Sequence, residues 1–206
     1  MTRSQQLVER QQPNLAAAQQ VRFIVQSTDG SLSDEAFRRY LVIEEAFVLT
    51  AVRILGLVVA ESTSLDDASD HVMSMSNLVG EQRAYFAGLR EKFPFDGNTE
   101  ELIASSSALS DYALGLAQRE GRSAALVAMF AAETLYLSWC RAAMTFSTER
   151  EPALQEWIAM HTRSTFIAQV DALAHEVDRM DAVDDETLGR WFEGMLAAEN
   201  EFHDAV

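Results

Sequence analysis

The stretch AALVAMFAAETLYLSWC, residues 124–140, is apolar on nearly every side yet carries a glutamate, Glu133, near its middle. A run of this kind, without proline or glycine, reads as a helix enclosed by other helices rather than one resting on a surface. A second stretch, LVIEEAFVLTAV (41–52), has the same character and contains Glu44 and Glu45. Two such helices need neighbours to surround them, and that requirement predicts an all-α bundle.

Moving outward from these stretches, punctuation is sparse: three prolines and nine glycines in 206 residues. Helical periodicity predicts segments at roughly 5–27 (interrupted near Pro13), 34–61, 65–92, 99–120, 123–146, 149–162, 164–180 and 185–204, seven to eight helices in all. Ser33 is placed as an N-cap, with Leu32 and Phe37 as a hydrophobic staple. Ser64/Asp67, Asn98/Glu101 and Thr148/Glu151 repeat a cap followed three residues later by an acid. Short connections make consecutive helices antiparallel neighbours, and no linker or repeat divides the chain, so one domain over 1–206 is expected.

Composition narrows the function. With 32 acidic and 16 basic residues the net charge is −16, and the pI is near 4.5. That charge, with no local basic cluster, argues against binding nucleic acid or an anionic membrane surface. At 48% hydrophobic and 23% charged, the composition is globular rather than disordered. The one cysteine, Cys140, rules out an intrachain disulfide and a CxxC zinc site, fits a reducing cytoplasm, and reads as inert core. The opening MTRSQQLVERQQP has no apolar signal region, and Glu44, Glu45 and Arg53 interrupt residues 41–60, so neither reads as a targeting or spanning segment. Lys92, the one lysine, sits in polar surroundings before Pro94 and reads as solvated rather than as a Schiff-base former.

The candidate chemistry lies in the carboxylates of the apolar helices. Tyr40, Glu44 and Phe47 share one face at i, i+4, i+7, and Glu133, Tyr136 and Cys140 share another at i, i+3, i+7. An unpaired buried charge costs several kcal/mol, so each carboxylate must pair, keep its proton, or face a polar cavity. Pairing with an arginine such as Arg53 or Arg141 is the structural alternative; a raised pKa in a cavity makes a general acid or base. Glu45 lies off the Tyr40/Phe47 face. The last helix adds Glu199, Phe202 and His203 at i, i+3, i+4, and His161 follows WIAM. His71 and His175 sit beside acids and read as surface.

Gly30-Ser31-Leu32, Phe37, Tyr40-Leu41, Glu44 and Phe47, followed by Trp157-Ile158 and the closing Glu199, Phe202 and His203, resemble the TenA family from about Val21 onward. This family comprises the thiaminase II group and has a haem oxygenase-like all-helical fold. Glu133, Tyr136, Ser138 and Trp139 are similar to its glutamate branch, in which a glutamate stands in for the cysteine nucleophile of the other branch. Cys140 is not at that position. The chain departs from the pattern at four places. Glu44 replaces an aspartate, Phe47 a tyrosine, His161 a tyrosine and His203 a tryptophan. The ring-stacking aromatic before Gly121 falls at Leu109 or Tyr112.

The resemblance implies hydrolysis of an aminopyrimidine, a thiamine degradation product, in thiamine salvage, with a pyrimidine-like small molecule as ligand and no cofactor. It places Glu133 and Glu199 as the catalytic acid–base pair. Glu44 would hold the ring's amidine edge, and Phe47, Tyr136, His161, Tyr40 and His203 would bind substrate. It also implies a homodimer or homotetramer. Two alternatives stand beside it. One is a haem oxygenase-like non-haem iron oxidase using Glu44, Glu133, His161, Glu199 and His203 as ligands, although the closely spaced His-x-x-x-Asp-x-x-His helix is missing. The other is a non-catalytic binder of a small heteroaromatic ligand. Convergence of Glu44, Glu133 and Glu199 on one cavity of roughly 300 Å³ or more is the expectation that the structure tests.

Overall fold

A computed structural model describes all 206 residues, and every regular element in it is helical. The chain opens with three short helices where one interrupted helix was expected: α1 (Arg3–Arg10), α2 (Gln12–Ala18) and α3 (Arg22–Asp29). Pro13 explains the first break, because it sits in the first turn of α2, where its missing N–H is harmless. Gly30, at φ 81°, ends α3 in the left-handed region.

The Ser33 hydroxyl accepts from the Ala36 amide at 3.2 Å and starts α4 (Asp34–Ala60). Ser64 caps α5 (Leu65–Asn77) through the Asp67 amide at 3.0 Å. This helix does not run evenly to residue 92. It passes through a π-helical turn, Leu78–Gln82, before resuming as α6 (Arg83–Lys92). Such a turn holds one extra residue and shifts the helical phase. Asn98 caps α7 (Thr99–Ser105), which stops short of α8 (Ala108–Glu120). At the break the Ser106 amide is shared between the Leu102 and Ile103 carbonyls at 3.2 Å each, and the hydroxyls of Ser105 and Ser106 donate to the same two carbonyls.

Gly121, at φ 78°, turns the chain into α9 (Arg122–Met144). The expected cap at Thr148 is corrected. Its hydroxyl donates to the Asp29 carbonyl at 3.0 Å, and the Glu151 carboxylate instead caps α10 (Pro152–Met160), accepting from the Ala153 and Leu154 amides. Next comes α11 (Ser164–Asp178), and Asp184 then caps α12 (Asp185–Asp204) through the Thr187 amide at 2.8 Å. The chain therefore has twelve α-helices rather than seven to eight, the additions coming from these short breaks.

The stretch that suggested the fold lies at its centre. α9 is surrounded by α3, α4, α8, α10, α11 and α12, and a contiguous cluster of 47 buried residues runs from Leu7 to Val206. Its length and apolarity match a membrane span, but it is a core helix whose apolar side chains meet their partners inside the bundle. His71, expected at the surface, is buried against Glu176 at 3.9 Å. Arg122 joins this group, meeting Asp67 at 2.5 Å and Glu176 at 3.3 Å, so it ties the start of α9 to α5 and α11.

Candidate active site

The bundle leaves a cavity of about 680 Å³ that opens to the surface past Asn77, Glu81 and Arg163. α4 lines it with Glu44 and Phe47, α9 with Glu133 and Tyr136, and α12 with Glu199. α10 adds Trp157, and His161 follows at that helix's end. Leu109 of α8 lines the cavity, whereas Tyr112 turns away and donates to the Trp191 carbonyl at 3.2 Å. Tyr40 and His203 are not on the wall. Both are fully buried behind Tyr136.

Behind the wall, hydroxyl and imidazole groups gather around Tyr136. The Tyr136 hydroxyl lies 3.0 Å from that of Tyr40 and 3.3 Å from His203 Nε2, and it donates to Glu44 Oε2 at 3.3 Å. Tyr40 is stacked on Phe23, with centroids 4.3 Å apart. Burial raises the pKa of both tyrosines well above the ordinary phenol value, so they act as hydrogen-bonding groups rather than phenolates.

The three carboxylates meet no lysine or arginine. Glu45, off the cavity face, is the one that pairs, with Arg90 at 2.8 Å. Glu44 and Glu133 are partly accessible on the cavity side, and desolvation raises their pKa values to about 7 and about 8. The Tyr40 and Tyr136 hydroxyls restrain the rise at Glu44, and Gln169, whose amide donates to Glu133 Oε1 at 2.5 Å, restrains it at Glu133. Glu199 is 1% exposed, and burial followed by the Glu44 charge drives its pKa well up. Oε2 of Glu133 and Oε2 of Glu199 have no hydrogen-bond partner. Unpartnered buried oxygens beside a cavity suit a ligand that brings its own donors.

His161 donates from Nδ1 to the Trp157 carbonyl at 2.8 Å, which leaves Nε2 as its free acceptor. Burial lowers its pKa to about 4, so the ring is neutral at pH 7. It lies 4.5 Å from the Trp157 ring and 4.7 Å from Phe166, extending an aromatic wall that also includes Phe47 and Tyr85. Tyr85, Phe166 and Gln169 were not singled out from sequence. Tyr85 reaches the cavity just past the π turn, where a regular helical phase would mislead, and Gln169 lies on a helix whose sequence carries no distinguishing motif.

The five donors proposed as iron ligands are not gathered. The one set of three or more His, Cys, Asp or Glu side chains whose ligand atoms lie within 4.8 Å of one another is Asp67, His71 and Glu176, where the Arg122 guanidinium already supplies the positive charge. The cavity offers carboxylates that hold protons near neutrality between flat apolar walls, an arrangement able to donate and accept protons and to seat an amine-bearing ring.

Residues 19–205 match the family model described as the TENA/THI-4/PQQC family. A TenA homologue from P. horikoshii OT3 superposes with a TM-score of 0.85 at 14% identity, covering 99% of this chain and 97% of that one. A TenA homologue from Pyrococcus furiosus gives 0.82 at 17% identity, covering 98% of each chain. A candidate TenA-like thiaminase from Sulfolobus solfataricus P2 gives 0.70 at 18% identity, covering 96% and 94%. At such identities the structural likeness establishes the fold alone. No curated protein matches the sequence significantly.

Proposed function

Because the chain belongs to the TENA/THI-4/PQQC family, we propose that it is a thiaminase II-like hydrolase. It would cleave the C–N bond between an amine and the methylene carbon of an aminopyrimidine, within thiamine salvage. The observation that carries this reading is the meeting of Glu44, Glu133 and Glu199 around one cavity with no cationic side chain bonded to any of them. Glu44 meets the amidine edge, one oxygen accepting from the 4-amino group and the other sharing a proton with the ring nitrogen, and Tyr136, which donates to Glu44 at 3.3 Å, orients that carboxyl group. Glu133 retains its proton up to about pH 8, which suits the acid that protonates the departing nitrogen. Glu199 is the base that takes a proton from water as its oxygen adds to the methylene carbon. Trp157, Phe47 and His161 form the faces against which the ring lies.

Ammonia release from 4-amino-5-aminomethyl-2-methylpyrimidine, measured for wild type and Glu133→Gln, tests the assignment. Wild type is expected to turn over and the variant to lose about 10²–10⁴-fold in kcat. Failure of wild type to bind the compound or to release amine overturns the hydrolase reading. Binding without cleavage makes the chain a non-catalytic binder. Full activity in Glu133→Gln removes that residue from the chemistry.

A further inference from the structure

The two carboxylates Glu44 and Glu199 both line the cavity, and a run of exchangeable groups, Tyr136 on the wall and His203 behind it, lies between them. From Glu44 Oε2 the Tyr136 hydroxyl is 3.3 Å away, and from that hydroxyl His203 Nε2 is another 3.3 Å. On the far side of the imidazole, Nδ1 lies 3.8 Å from Glu199 Oε2, one turn earlier on the same helix. Glu199 Oε2 has no hydrogen-bond partner, while Nδ1 has the Glu199 backbone carbonyl as a competing acceptor one turn back. A side-chain adjustment of about 0.7 Å brings them within bonding distance. The imidazole is shielded from solvent: His203 is 1% exposed, its ring stacked on Phe23 at 5.1 Å and on Tyr40 at 6.1 Å, with Phe202 edge-on at 5.5 Å.

We infer that His203 is a proton relay, and that it and the Tyr136 hydroxyl carry a proton between Glu199 and Glu44 without passing through water. The inference rests on the roles proposed above for those two carboxylates. In the transfer Glu199 gives its proton to Nδ1 of His203, the Nε2–H passes to the Tyr136 oxygen, and the Tyr136 O–H proton passes to Glu44. One proton has moved, the imidazole has exchanged one neutral tautomer for the other, and the phenol is re-formed. Glu199 is then ionised and able to accept a proton from water, while Glu44 holds the proton that the ring nitrogen takes up as the leaving group departs.

The surroundings support each requirement. The relay needs a neutral imidazole with one N–H and one lone pair, and burial lowers the pKa of His203 to about 4. It also needs Glu199 to begin protonated, and burial together with the nearby Glu44 charge raises that pKa well above the usual value. Without the relay, the proton that the two sites hold near neutrality sits on the residue that must act as base.

Two measurements test the inference. In 15N NMR of the imidazole, with His203 identified by its loss in His203→Gln, the free protein is expected to show the neutral Nε2–H tautomer. Addition of 4-amino-5-hydroxymethyl-2-methylpyrimidine is expected to move it toward Nδ1–H. A fixed Nδ1–H tautomer in the free protein, its proton resting on the Glu199 backbone carbonyl, overturns the relay. In kinetics, His203→Gln keeps a donor and an acceptor at this place but cannot interchange them. A kcat loss of about 10–100-fold with KM changed less than about twofold is expected, and wild-type kcat in this variant overturns the relay. Thermal melting of His203→Gln and His203→Phe separates misfolding from lost transfer. Should wild type show no turnover, the hydrolase reading fails, and the free-protein tautomer alone decides the relay.

Discussion

Glu133 holds its proton because α9 is wrapped by other helices and only Gln169 bonds to its carboxylate. A carboxyl whose pKa is raised on folding favours the native state fully below its unfolded value, near 4.5. That advantage is lost as pH climbs through the folded value of about 8. Glu133→Gln mimics the protonated form, so its melting temperature should match wild type at pH 5 and exceed it at pH 9. The expected gain is about 1–3 kcal/mol, at about 2–4 °C per kcal/mol for a chain of this length. An equal shift at both values would mean that the carboxyl titrates normally. Residues of this kind were legible in the sequence because a glutamate inside an all-round apolar helix has few places to go. Direction was less legible than burial. Tyr40 and His203 sit on the right helix faces, yet they lie behind Tyr136 rather than against the cavity.

Elements were read well where a capping side chain marks a start, as at Ser33, Ser64 and Asn98. They were read poorly where a break depends on competition within the backbone. The shared Ser106 amide and the π turn at Leu78–Gln82 leave the hydrophobic pattern unchanged while altering the helix. Thr148 had the spacing of a cap but serves another joint. Its hydroxyl and the Glu149 carbonyl close over Gly30, where an added Cβ would stand 2.7 Å from each. Gly30 is also at φ +81°. Gly30→Ala therefore combines backbone strain with a collision against main chain, and should lower stability by about 1–3 kcal/mol in denaturant or thermal melts. A neutral result would show that the joint between α3 and α10 is not rigid.

The whole molecule carries a net charge of −16, and three of the carboxyls counted in it line the cavity with no cationic side chain paired to them, the Arg163 at its rim being paired with Glu156. The family and the bundle were legible because two core helices and a few spaced residues define them. The dimensions of the cavity were not, since they depend on how α6, α10 and α11 close around it. Because Glu44 and Glu133 titrate at about 7 and about 8, the free protein at pH 7 is a partly loaded proton reservoir. An amine-bearing ring that accumulates positive charge there displaces protons into the medium as it docks. Calorimetric binding heats at pH 7 should therefore vary with the ionisation enthalpy of the buffer, to the extent of a fraction of a proton released per ligand, and less in Glu44→Gln. Heats that do not depend on the buffer would mean that docking leaves these carboxyls as they were. Ligand capture by this fold would thus be a thermodynamic exchange of one kind of cation for another.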